Sequence, residues 1–168
     1  MGVSSVVAVA VSAAAAQGDA GEMKAFTHDF DAMRIERAIA AAERKTSGEI
    51  RVVVHRGMVD DAVSAAAAEF HRLQMHRTRN RNAVLLYIAP DARRFAIYGD
   101  RGVHEKCGDV FWRSVALALE ADFRHGAFTA GLEKAIAAAS DLLATHFPWQ
   151  PGDINELPDD FVDRGVVI

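Results

Sequence analysis

Two apolar runs joined by a short polar turn, Asn82 to Ala89 and Arg94 to Tyr98, constrain this chain more than any other feature. The first is nearly unbroken and the second alternates, so both read as strands, and the Pro90 and Asp91 between them make the joint a hairpin. Directly after the second run comes Gly99-Asp100-Arg101-Gly102-Val103-His104. That stretch is too rich in glycine and charge to continue a strand. It reads as a turn, and chemistry is expected near it, although no catalytic signature occurs anywhere in the chain.

A chain of 168 residues has room for one domain with one core. Hydrophobic residues make up 51%, much of it alanine, which suits packed helices. The longest apolar run, Val6 to Ala16, falls short of the roughly 20 residues that a membrane-spanning helix needs. A net charge of -4 gives no basic field to hold nucleic acid. The single cysteine, Cys107, excludes an internal disulfide and reads as a small core residue rather than a catalytic thiol, which would need a partnered histidine that lowers its pKa.

Taken in order, residues 1–27 read as a disordered or non-native extension, 28–148 as the domain, and 149–168 as an acidic, proline-containing tail lying extended on the surface. No Lys or Arg precedes the apolar segment of the extension, which argues against an export signal and for a cytoplasmic or peripherally membrane-associated protein. A helix is expected from about Asp29 to Lys45, stopped by a left-handed Gly48. Ile50 to His55 reads as a strand buried on both faces. A second helix opens at Asp60-Asp61, a third is capped by Asp109, and a fourth begins near Phe128. His71 and His76, five apart, are not expected to share a helix face, which counts against a zinc pair.

Strand, helix, strand implies a right-handed parallel crossover, and the hairpin adds an antiparallel third strand. The starts of the first two strands and the end of the third then share one edge of the sheet. Glu49, Asn82 and Asp100 are expected to be neighbours there, with Ser47, Arg81, Arg101 and His104 close by and Asp109 closing the group. The carboxylates of Glu49, Asp100 and Asp109 with the Asn82 amide oxygen would suit Ca2+ or Mg2+, the cofactors such a set would take. Arg81 and Arg101 could instead receive a phosphate. The plainer alternative is that strand ends are polar because they meet water.

With these residues on the page, the chain from about Thr46 to Pro148 resembles the TPM domain family. The resemblance rests on Ser47-Gly48-Glu49-Ile50-Arg51-Val52-Val53-Val54, Arg81-Asn82-Ala83-Val84-Leu85-Leu86, Phe95 through His104, and Phe128-Thr129-Ala130-Gly131-Leu132. It implies a three-layer α/β/α sandwich with a small mixed sheet and about four helices. It also implies a domain for which weak acid phosphatase activity and divalent cation binding have been attributed to some members. Family members often carry Asp-Asn-Gly where this chain has Arg81-Asn82-Ala83, so a cation replaces an expected carboxylate. Bacterial relatives often occur alongside LemA-type membrane proteins, which points to such a partner. The resulting expectation is a non-enzymatic accessory or binding module associated with membrane or envelope proteins, with a divalent-cation-dependent phosphatase as the rival.

Overall fold

A computed structural model describes residues 7–12, 30–157 and 161–164. Its elements are β1 (Val7–Ser12), α1 (Ala32–Glu43), β2 (Glu49–His55), α2 (Ala62–Arg72), β3 (Ala83–Ala89), β4 (Arg94–Gly99), α3 (Arg101–Cys107), α4 (Asp109–Arg124), α5 (Phe128–His146) and β5 (Phe161–Arg164). One mixed sheet takes the order β1-β4-β3-β2-β5. β2 and β3 are parallel, joined through α2, and β4 runs antiparallel to β3 from the tight turn after Ala89. The crossover and hairpin expected from the apolar runs are therefore both present.

The strand side chains alternate between two cores, which makes the fold three-layered. Ile50, Val52, Val54, Leu86 and Ile97 face α1, α4 and α5, where Ile39, Trp112 and Leu143 are fully buried. Val53, Leu85, Tyr87 and Tyr98 face the other way, onto Ala66, Phe70 and Met75 of α2 and the turn after it. β2 is buried on both sides along nearly its whole length, as its consecutive valines require. Among the described residues no helix is long and apolar enough to cross a membrane.

Several local expectations change. α1 begins after Asp31, whose carboxylate accepts from the Arg34 N–H at 3.0 Å; Asp29 lies outside the described residues. Gly48 is not left-handed. It is small because a Cβ there would stand 3.0 Å from Leu143 Cδ1 and 3.2 Å from the Asn82 carbonyl. The expected turn after β4 is a short helix, α3, capped by Asp100. The described residues thus hold five α-helices rather than about four. Asp109 does not cap α4: left-handed Gly108 (φ 69°) occupies that position and Asp109 is the first helical residue.

The segments read as lying outside the sheet contribute its two outer strands. Val7–Ser12 pairs antiparallel along β4, and Phe161–Arg164 pairs parallel along β2. The rest of the N-terminal extension, with the export question that it carries, lies outside the described residues. The acidic tail is also tied down by a bridge between Thr46 and Pro148, and by the Trp149 N–H donating to Lys45 O at 3.3 Å.

Candidate functional site

Strand direction brings together the groups that the sequence placed at one edge. β2 pairs Glu49 with Ala83, and β3 pairs Val84 with Gly99. Asn82, one residue before β3, therefore stands beside Glu49, and Asp100, one after β4, lies on the other side of β3, where its N–H donates to Ala83 O at 2.9 Å. All three are buried, with exposures of 3% for Glu49, 1% for Asn82 and 3% for Asp100. A buried carboxylate is tolerated only where donors replace water.

Asp100 has those donors. Arg81 grips it with both arms of its guanidinium, Nε to Oδ2 at 2.8 Å and Nη2 to Oδ1 at 2.9 Å. Oδ1 also accepts the Arg101 N–H at 2.7 Å, which starts α3. The Asp100 carboxylate pushes the Arg81 pKa up further, chiefly through these hydrogen bonds. Arg81 reaches it from a left-handed backbone (φ 51°), and its carbonyl accepts the Gly102 N–H at 2.9 Å. That approach requires glycine: a Cβ on residue 102 would lie 2.4 Å from Asn80 O and 2.7 Å from Arg81 O.

The other rim groups are likewise tied to backbone. Asn82 Nδ2 donates to Ser47 O at 3.0 Å, joining the starts of β2 and β3. Glu49 Oε1 accepts from the Glu156 N–H at 2.8 Å, and Glu156 Oε2 accepts from the Arg79 N–H at 3.0 Å, so one tail residue ties both strand starts. Arg101 turns instead to Glu105 on the exposed face of α3, at 2.7 Å. His104 Nδ1 stands 3.4 Å from Asp109 Oδ1 across the α3–α4 joint.

These partners decide how well the rim fits a divalent cation. Asn82 Oδ1 is buried without a hydrogen-bond partner among the described residues and would suit one. Two of the three carboxylates do not. Asp100 is already neutralised by Arg81, and Asp109 faces His104 at the far end of α3. Among the described residues no three His, Cys, Asp or Glu side chains form a group able to hold a metal ion. Burial pushes the Cys107 thiol up to about 11, which disfavours the thiolate at neutral pH.

Next to the rim lies a recess of about 300 Å³ that sequence reasoning missed. Its walls come from the end of α1 (Glu43, Arg44), the 46–49 segment and the tail residues Trp149, Asp153 and Ile154. Trp149 is half exposed and Ile154 is 81% exposed, yet the backbone of the first is fixed by its bond to Lys45. Trp149 itself was a visible signal, a large aromatic in a polar tail, but its neighbours sit roughly a hundred residues upstream.

Comparison with known proteins gives two findings. The family model described as the TPM domain matches residues 24–142. The NMR structure of BA42 protein from the psychrophilic bacterium Bizionia argentinensis is similar at 37% identity and a TM-score of 0.75, over 82% of this chain and 97% of that one. No curated protein matches.

Proposed function

Because this chain belongs to the TPM domain family, we propose that it works as a non-enzymatic binding module, associated with a membrane or envelope protein, and that the recess beside Trp149 is where it takes hold of its partner. The observation that carries this reading is a concave surface with an apolar lip and an acidic wall. Trp149 and Ile154 form the lip, and Glu43, Glu49 and Asp153 outnumber the single cation, Arg44. Tryptophan is enriched among interface anchors, and on a fixed backbone little ordering cost remains when a partner covers it. The complementary partner is a segment with Lys or Arg beside an aliphatic or aromatic residue.

The buried rim groups support the same reading in another way: Glu49, Arg81, Asn82 and Asp100 are engaged in hydrogen bonds that hold strand ends and tail together. The test is direct binding to a LemA-type membrane protein in detergent or nanodiscs. Trp149→Ala and Asp153→Lys should each weaken it about tenfold or more, with the melting temperature nearly unchanged. Absence of binding by the parent, or equal binding by both variants, removes this proposal.

The rival, a phosphatase dependent on a divalent cation, has one atom in its favour, the unpartnered Asn82 Oδ1. It requires Asp100 to leave Arg81. Hydrolysis of a phosphate monoester that needs Mg2+ or Ca2+ and disappears in both Asp100→Asn and Glu49→Gln would put the rival in first place.

A further inference from the structure

We propose that His71 and His76 form a two-histidine site for a borderline transition-metal ion such as Zn2+, Ni2+ or Cu2+, with water completing the coordination. This goes beyond the binding-module reading and uses none of its residues. Five residues apart on one continuous helix, the two rings would point to different faces. The chain is not one continuous helix here: α2 ends at Arg72, and Gln74 takes a left-handed conformation (φ 57°, ψ 25°). The Gln74 N–H donates to His71 O at 3.0 Å, and the following turn, Met75–Arg77, is pinned by Met75, which is fully buried. This reversal folds His76 back against His71.

The rings lie with centroids 4.9 Å apart and planes tilted by 44°. With metal–nitrogen bonds of about 2.1 Å, and a ring nitrogen about 1.1 Å from its centroid, two imidazoles sharing one ion have centroids roughly 4.6–5.3 Å apart. The observed spacing falls inside that window before any ion arrives. His76 Nδ1 is buried with no hydrogen-bond partner among the described residues, so the fold leaves that nitrogen uncommitted. His71 is exposed, which leaves a path for the ion and its waters. Two neutral nitrogens without a carboxylate select against hard Ca2+ and Mg2+ and for ions that imidazole suits, with Cu2+ the tightest.

The experiment is calorimetric titration of the tag-free chain with Zn2+, Ni2+, Cu2+ and, as the contrast, Mg2+. One ion should bind per chain, with at least tenfold weaker binding in His71→Ala and in His76→Ala and no heat from Mg2+. A second reading comes from the histidine ring NMR signals under substoichiometric Cu2+, where those of residues 71 and 76 should broaden first. His71 is exposed, so His71→Ala is expected to melt like the parent when no metal is present. Undiminished binding by the double variant, broadening that starts at other histidines, or no binding by the parent overturns the proposal.

Discussion

The two ends of the parallel pair β2 and β3 are built in different ways. At their starts, buried charged and amide groups bond to one another and to backbone, beside a recess of about 300 Å³. At their far ends, past His55, a depression of about 860 Å³ opens between α2 and β5, lined by His55, Asp60, Asp61 and Tyr87 among others. The acid of the ion pair there is less buried: Arg56 meets Asp163 at 2.8 Å, and the Asp163 side chain is 34% exposed against 4% for Asp100. A dense polar sequence thus marks the place where the chain ties itself together. The wider concavity comes from what happens to stack around it, and its residues are unremarkable when read in order.

That contrast can be broken by substitution, and the largest effect should come from Gly102→Ala. In an ordinary helix the change gains up to about 1 kcal/mol. Here the new methyl group would meet two backbone carbonyls that cannot swing aside, so a net loss of about 3 kcal/mol in urea unfolding is expected. A neutral or stabilising result would mean that α3 can lift off the Arg81 segment, and the rim would not be locked as described.

Next comes a matched pair of arginines. Arg81→Ala strands the buried Asp100 carboxylate and should cost about 2 kcal/mol, below the figure for fully buried pairs because the Arg81 side chain is 45% exposed and the α3 N–H still serves the acid. Arg56→Ala at the open end should cost about 0.5 kcal/mol, in the range of surface pairs. Equal losses would erase the distinction between the two ends.

The smallest effect concerns pH and belongs to the open end. Asp61 caps α2, and the Ser64 hydroxyl first, then the N–H groups of Ser64 and Val63, hold its carboxyl below the ordinary 3.8. A depressed folded-state pKa gives stability that is complete above the unfolded value and is lost as pH falls through the folded one. Asp61→Asn keeps a capping oxygen without the titration. It should therefore flatten slightly the fall of melting temperature below about pH 4, leaving the neutral range alone. An unchanged acid limb would show that the cap carries no charge-dependent stability.

What could be read from sequence was whatever is encoded locally or follows from direction. The valines of β2 and the apolar run of β3 announced a buried parallel pair, and a reversed third strand then placed Glu49, Asn82 and Asp100 on one edge without any knowledge of contacts. The expected companions Arg101, His104 and Asp109 turned elsewhere, because a seven-residue helix stands where a turn was anticipated. Its signal was weak: Gly102 inside it argues against a helix until the carbonyls of Asn80 and Arg81 are seen pressing on that spot. β5, the Trp149 recess and the His71–His76 contact depend on partners or backbone reversals that leave no period in the chain. Gln74, which adopts φ 57° without being glycine, is the clearest case.

The placement of β1 and β5 bears on how this protein should be handled at the bench. The family match covers 24–142, whereas the hydrogen-bonded unit reaches from Val7 to Arg164. A clone trimmed to the matched borders would discard both flanking strands, clip the end of α5 and remove the residue that ties Glu49 to Arg79. It would leave β4 and β2 as bare ladders, open to pairing with any other copy in the tube, and so prone to clump.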